Sequence, residues 1–388
     1  MLSASSRSAV LASLPLVRAK IEQITPIFYE RMFAAHPEFL DGLFNEANHK
    51  SGIQHSAFAL GFISMAARMA EEENDAVDAM LTRIAHRHTA LGVSASQYDI
   101  VHDHLFEAME VVLADAFTPE VRRAWNDVYW LLSNVLLRVE CDLYDAQASF
   151  ARWTFWWVTA REEHGDTVFL TFEPVTDTPV SPAVPGQYVS ARVTTPSGRK
   201  QARQYTLISG GGAARQIAVR RSEGGMVSPV LNDSLAVGDM LELSNPYGNV
   251  VLTPSEAPLV LITAGIGATP AAGMLRALVE AGSDRRVQVF HADRSPAHWA
   301  LRERIIADVR ALPSATLETW YQEGGDAASF TGDMNLTLMA IPDDADVVLC
   351  GPLPFMRLAR GQLIDKGVPA RHIHYEMFGP DLWYPERG

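Results

Sequence analysis

Residues 84–101 read IAHRHTALGVSASQYDIV, and the reading of this stretch decides how the first third of the chain folds. Ile84 precedes His88 by four positions and Leu91 follows it by three, so the imidazole projects from the apolar side of a helix that Gly92 can end. An isolated histidine there is usually a hydrogen-bonded core residue; ligation of a metal is the alternative. Beyond Gly92, Tyr98, Val101, Leu105 and Met109 repeat at spacings of three and four, and upstream Phe58, Phe62, Met65 and Met69 do the same. Residues 1 to about 147 therefore read as an all-helical domain, with Pro15, Pro26, Pro37 and Pro119 expected near helix starts, where a missing amide hydrogen is tolerated.

Polar side chains interrupt these apolar faces at a few places. Gln54 stands one helical turn before Phe58, and Tyr29 shares a face with Met32 and Phe33. Inward polar groups are costly unless they serve a ligand or each other. On a second side, Tyr98 opens one apolar face and Glu140 closes another that runs through Tyr129, Leu132 and Leu136, so both could approach His88. His49, His55 and His86 are expected to be solvated surface without a role.

From about residue 150 the periodicity changes. Short runs such as Thr167 to Glu173, Gln187 to Val193 and Gln216 to Arg220 alternate with Pro- and Gly-bearing turns, the texture of a small antiparallel barrel. The aromatic stretch Trp153, Phe155, Trp156 and Trp157 is either a hinge or the first strand. Past Pro258, strands at Leu259 to Thr263, Val287 to His291 and Val347 to Cys350 alternate with helices at Ala271 to Ala281 and Phe355 to Lys366, as in a parallel α/β sheet. The expected domains are 1–147, 148–257 and 258–388, and a chain of 388 residues is long enough for three cores.

The bulk composition narrows the function classes. A formal charge of −14 argues against a general nucleic-acid binder, since phosphate neutralisation needs a basic face. Cys141 and Cys350 fall in different expected domains and offer neither a metal-ligand spacing nor a disulfide framework, which points to a reducing, cytoplasmic setting. No window approaches a membrane span, so no stable membrane insertion is expected. Residues 1–20 hold Ser, Arg and Lys without an acid, as a transit peptide would, but Val10, Leu14 and Val17 also fit the apolar face of a first helix.

Two further motif sets lie in the later segments. Thr263 to Pro270, TAGIGATP, follow a buried-looking strand and open a helix, the context in which Gly265 and Gly267 allow a dinucleotide to approach the backbone. In the middle segment, Gly225 precedes Val227 and Ser228 at a turn before a helix, where backbone amides can meet phosphate.

FYERMF at 28–33, LFNEANHKSGIQ at 43–54, the stretch 84–101 and RVECDLY at 138–144 resemble the globin domain of the flavohaemoglobins, the flavohemoprotein or nitric oxide dioxygenase family. The resemblance implies that His88 is the proximal ligand of a haem b iron and that Phe44 wedges against the porphyrin. Arg87 and Phe58 are then further cofactor contacts, Tyr29 and Gln54 line the oxygen side, and Tyr98 and Glu140 surround the proximal imidazole, making it more electron-donating. Phe58 departs from the smaller aliphatic residue that the family commonly carries there, and a bulkier ring could narrow the gas pocket.

Arg203, Gln204, Tyr205 and Thr206 resemble the Arg-x-Tyr-Ser/Thr signature of ferredoxin-reductase-type flavin domains, with Tyr188 upstream and Gly225, Val227 and Ser228 downstream. Gly265, Gly267, Thr269 and Pro270, then Cys350, Gly351 and Pro352, resemble the nicotinamide side of those reductases. Glu376 and Phe378 match the family's C-terminal flavin-contacting segment, where Met377 replaces a frequent Cys.

The resemblance covers nearly the whole chain. It implies a globin domain, an FAD-binding antiparallel barrel and an NAD(P)-binding α/β domain, in that order. It also implies that electrons pass from NADH or NADPH through FAD to haem iron, where oxygen and nitric oxide give nitrate. NADH is the expected donor because no basic cluster awaits a 2′-phosphate, although Arg294 could provide one contact. Two alternatives stay open. One is a reductase passing electrons to other acceptors, including a peroxidase-like centre with a lipid ligand or lipid hydroperoxide in the haem pocket; the other is an oxygen or nitric oxide sensor or store. A monomer is expected.

Overall fold

The structure, a computed structural model, describes residues 2–44, 52–71, 74–175, 177, 179–209, 214–327 and 329–379. The chain divides into two compact units, one formed by the residues up to 152 with 192–202, the other by 153–191 and 203–379.

Helices α1 (Ala4–Ala35), α2 (Ile53–Ala70), α3 (Asn74–Leu91), α4 (Ser96–Leu113) and α5 (Pro119–Asp145) build the first unit. Ser3 and Thr118 cap α1 and α5 by accepting from the amides of Ser6 and Val121, and Pro119 occupies the first turn of α5. Pro37 likewise opens a short 3-10 turn, whereas Pro15 and Pro26 lie inside α1 and correct the expectation of helix starts there. A proline inside a helix costs about 3 kcal/mol. The face of α1 that buries Val10, Val17, Ile21, Ile24, Phe28 and Met32 outweighs that cost, since each such side chain contributes roughly 1.5–3 kcal/mol. Helix α1 packs on α2, α4 and α5, and α3 packs on α5. Trp125 Nε1 donates to Ser13 Oγ at 3.0 Å, joining α5 to α1 across the core. Gly92, at φ 79°, ends α3, and the Val93 amide reaches back to the His88 carbonyl at 3.0 Å.

Strands β1 (Trp153–His164), β2 (Thr167–Pro174), β3 (Tyr188–Thr194), β4 (Lys200–Thr206), β5 (Arg215–Arg220) and β6 (Met240–Ser244) form a sheet in the order β4-β3-β6-β1-β2-β5. The stretch from Trp153 is thus the first strand, not a hinge. β1 runs antiparallel to β2 and β6, and β2 to β5. The two edges meet where Leu207, just past β4, bridges Ile217 of β5 and the Ile208 amide donates to the Gln216 carbonyl at 2.9 Å. That closes the sheet into a barrel and removes its edges.

The second sheet is parallel, in the order β10-β9-β8-β7-β11-β12. Its strands are β7 (Leu259–Ala264), β8 (Val287–Asp293), β9 (Ala315–Tyr321), β10 (Phe330–Thr331), β11 (Asp346–Cys350) and β12 (Ile373–Glu376). Helices α6 (Thr269–Glu280), α7 (Arg302–Ala311) and α8 (Leu353–Asp365) cover it. β7 is buried at every position, which its unbroken LVLITA run requires of a central parallel strand. The chain goes from β7 to β8 on one side and later returns to β11 on the other, so β7 ends at the point where such sheets bind ligands.

Barrel and parallel sheet share one core: Phe169, Ile208, Ala218 and Val250 pack with Leu259, Ala272, Met274 and Leu275. Two glycines allow the approach. A Cβ on Gly273 of α6 would stand 2.6 Å from the Leu207 carbonyl, and one on Gly186 would stand 2.3 Å from the Val250 carbonyl and 2.7 Å from Met274.

Candidate functional site

His88 lies on the last turn of α3, and three side chains from three helices meet there. Its Nδ1 is 2.8 Å from Glu140 Oε1 of α5 and 3.0 Å from the Tyr98 hydroxyl of α4. Tyr98 donates to the same Glu140 oxygen at 2.5 Å. Burial, then the charge of Glu140, pushes the Tyr98 phenol far up, so it stays a donor. Tyr98 is itself anchored, because the Tyr129 hydroxyl donates to its carbonyl at 2.6 Å. Glu140 is 3% exposed, so the shared carboxylate fixes the imidazole from the core side.

With Nδ1 engaged, Nε2 of His88 makes no hydrogen bond to any described residue, and the side chain remains 33% exposed. Among the described residues no group of three His, Cys, Asp or Glu could hold a metal ion. A single imidazole whose second nitrogen is oriented by a carboxylate fits a metal that brings its other ligands in a macrocycle, as haem iron does.

Tyr29 on α1 is 1% exposed and enclosed by rings. Phe44 and Phe58 meet it edge-on, with centroids 5.9 and 6.2 Å away, and His55 stacks on it at 4.7 Å. Phe58 also stacks on Phe28 at 5.2 Å and Phe62 at 6.0 Å. His55 is therefore not the solvated surface residue that the sequence suggests, and neither is His86, half-buried and pushed down to about 4 by burial. Helical spacing alone does not place His55, because Tyr29, a ring partner from another helix, decides its environment. Gln54 belongs to the first turn of α2, but its side chain, like His49, lies outside the described residues. Arg87 is half-buried beside His88.

In the second unit, β4 carries Arg203, Gln204, Tyr205 and Thr206. Arg203 is half-buried and lowered by desolvation, and burial pushes the Tyr205 hydroxyl up. Thr206 is buried, and its Oγ1 has no partner among the described residues. A half-buried cation and an orphaned hydroxyl on one strand fit an anionic, heteroaromatic group such as a flavin nucleotide. Tyr188, 4% exposed, pairs through its backbone with Tyr247, and Gly248 leaves the space its ring fills, a Cβ there being 3.0 Å away. In the turn that holds Gly225 and Val227, Ser228 Oγ accepts from the Ser222 amide at 3.0 Å.

Gly265, at φ +56°, begins a tight turn that ends in α6, where Thr269 Oγ1 donates to the Ile266 carbonyl at 3.2 Å and Pro270 occupies the first turn. A Cβ on Gly267 would stand 2.6 Å from the Cys350 carbonyl, and one on Gly351 would stand 2.8 Å from the Phe355 ring. Pro352 precedes α8 at its N-cap. The turn therefore lies flat against the end of β11. Cys350 is fully buried with its thiol pushed up by desolvation, in register with Thr263 on one side and Glu376 on the other. Glu376 is 4% exposed and Phe378 46% exposed.

Comparison with known proteins agrees with this layout. Family models match a globin at residues 27–136, an oxidoreductase FAD-binding domain at 159–252 and an oxidoreductase NAD-binding domain at 261–361. The chain is 36% identical to the flavohemoprotein of Rhizobium meliloti over 99% of this chain and 100% of that one. With the flavohemoprotein of Bordetella pertussis it shares 35% identity over 98% and 99%. The crystal structure of flavohemoglobin from Malassezia yamatoensis with bound FAD and heme superposes with a TM-score of 0.92 at 34% identity, covering 97% of this chain and 100% of that one. Among the described residues no helix is long and apolar enough to cross a membrane. The chain belongs to the flavohemoprotein family, oxidoreductases that join a globin to FAD- and NAD-binding reductase domains.

Proposed function

We propose that the protein is a nitric oxide dioxygenase that draws electrons from NADH or NADPH, working as three segments, 1–147, 148–257 and 258–388. The observation that carries this reading is the His88–Glu140–Tyr98 triangle in a chain that also holds a reductase. An imidazole partnered by a buried carboxylate is a strong electron donor, suited to activating oxygen rather than storing it. Storage would also need no sustained electron supply.

When bound, haem supplies the iron at which oxygen and nitric oxide react, and FAD converts the two electrons of the nicotinamide into single ones. The chain's residues bind, orient and exclude water. His88 would hold the iron through Nε2, with Arg87 as a further haem contact. Phe44 and Phe58 would flank the macrocycle with apolar rings, while Tyr29, and Gln54 by its sequence position, would donate hydrogen bonds to the oxygen substrate. Arg203 would meet the FAD pyrophosphate, with Gly225, Val227 and Ser228 as further phosphate contacts. Tyr188, Gln204, Tyr205 and Thr206 would hold the flavin ring system, with Phe378 over it and Glu376 close by. Gly265, Gly267, Thr269 and Pro270 would seat the dinucleotide phosphates, and Cys350, Gly351 and Pro352 its nicotinamide end.

Nitric oxide and oxygen combine with one electron to give nitrate, and each nicotinamide carries two electrons. Aerobic turnover should therefore consume two nitric oxide molecules per NADH oxidised and release two nitrates. NADH oxidation that leaves nitric oxide untouched would make the protein a reductase for other acceptors.

A further inference from the structure

At the carboxyl ends of β7 and β8, a chain of polar side chains runs from the Gly265 turn to the barrel. Thr263 of β7 is in register with His291 of β8, and its Oγ1 lies 2.8 Å from His291 Nδ1. His291 is fully buried and stacks on Trp299, with centroids 4.0 Å apart. Its Nε2 stands 3.6 Å from Asp293 Oδ2. The other oxygen of Asp293 is 2.7 Å from His298 Nδ1 and accepts from the Arg294 amide at 2.7 Å. Arg220, the last residue of β5, donates through Nη2 to the His298 carbonyl at 2.8 Å. It also sits between two carboxylates, its Nε 3.4 Å from Asp166 on the β1–β2 turn and its Nη2 3.9 Å from Asp293. His298 Nε2 completes the ring at 3.8 Å from Asp166.

The side chain of Asp293 is 3% exposed. Burial opposes its ionisation, but His291, the Arg294 amide and His298 together outweigh this and hold its carboxyl at about 2. A buried charge kept ionised in this way binds its donors firmly, and its removal leaves them unpaired. Arg220 is not among those donors but pairs with Asp293 by charge across 3.9 Å, and its Nη1 lies 3.2 Å from where a Cβ on Gly265 would stand. On its other flank the turn rests on the Cys350 backbone through Gly267. The turn is thus held between a strand end and one guanidinium, and Asp293 is one of the two carboxylates beside that guanidinium.

We propose that Asp293 is a positioning residue for the nicotinamide dinucleotide: by holding Arg220 and His298 it fixes the Gly265–Ala268 turn at one distance from the barrel. The inference rests on the reading of this unit as a flavin- and nicotinamide-binding reductase. The step it governs is the transfer of two electrons and one proton from reduced nicotinamide to oxidised flavin, leaving NAD⁺. Misplacing a donor by about 1 Å can cost on the order of 100-fold in rate even where binding survives.

The test is anaerobic stopped-flow bleaching of the flavin by NADH in the full, FAD-loaded chain, comparing wild type with Asp293→Asn and His298→Ala. His298 is partly exposed, so its truncation keeps the test open should the buried substitution fail to fold. In at least one variant that retains FAD, the saturating bleaching rate should fall about tenfold or more while the NADH dissociation constant stays within about threefold. Reduction by dithionite should be unchanged. A normal saturating rate in every folded variant overturns the proposal, as does a loss confined to NADH affinity. Wild-type flavin that neither NADH nor NADPH bleaches would overturn the reductase reading and this inference together.

Discussion

Glu140 offers a single carboxylate oxygen to both His88 Nδ1 and the Tyr98 hydroxyl. Its charge, more than its shape, should therefore set the electron-donating power of the imidazole. Glu140→Gln, nearly isosteric, should raise the haem reduction potential without releasing haem. An unchanged potential in a spectroelectrochemical titration would take Glu140 out of the site. On the α1 side, Tyr29→Phe removes one hydroxyl from a side chain whose ring is already fixed by Phe44, Phe58 and His55. Loss of a hydrogen bond to a charge-bearing acceptor costs about 1.5–3 kcal/mol, so oxygen should dissociate roughly ten- to a hundredfold faster in a carbon monoxide replacement experiment. Wild-type dissociation would exclude Tyr29. Apolar spacing was enough to turn His88, Tyr98, Glu140 and Tyr29 inward from the sequence. It could not do so for His55, nor link Asp293 to Arg220, because those environments are made by partners from other elements at no fixed sequence distance.

At the scale of elements, the turn after β7 works by contact rather than by backbone freedom alone. Gly267 has an ordinary φ, yet a Cβ there would stand 2.6 Å from the Cys350 carbonyl and 2.8 Å from the Gly351 amide nitrogen. Neither backbone atom can yield without moving β11. Gly267→Ala should therefore shift the turn, and overpacking of this kind costs about 1–3 kcal/mol. We expect a KM for NADH raised by about tenfold with FAD content intact; a wild-type KM would mean that the turn does not seat the dinucleotide. The alternating and buried runs place β2, β3, β5, β7, β8 and β11 within one or two residues of where they are found, since burial on one face or both dictates their patterns. Pro15 and Pro26 misled because local propensity marks a helix start, whereas the apolar face of α1 continues through both positions.

At the scale of the whole molecule, the three textures of the sequence become two compact units, because the barrel and the parallel sheet bury one core between them through Gly186 and Gly273. That fusion predicts how damage divides. His88→Ala removes the proposed iron ligand from a unit whose core is otherwise built from α1 to α5, and His88 itself is only half-buried. Nitric oxide removal should be abolished, while NADH-dependent ferricyanide reduction stays within about twofold, since ferricyanide can take electrons directly from reduced flavin. Arg203→Ala acts in the other unit. It strips a half-buried cation from beside Tyr205, so FAD should be held more weakly and both activities should fall together. Carbon monoxide should still bind chemically reduced haem in that variant, because every proposed haem contact lies outside β4. Nitric oxide turnover surviving in His88→Ala would remove the iron from the reaction, and ferricyanide reduction lost there with FAD fully bound would show that the two units do not carry separable chemistry.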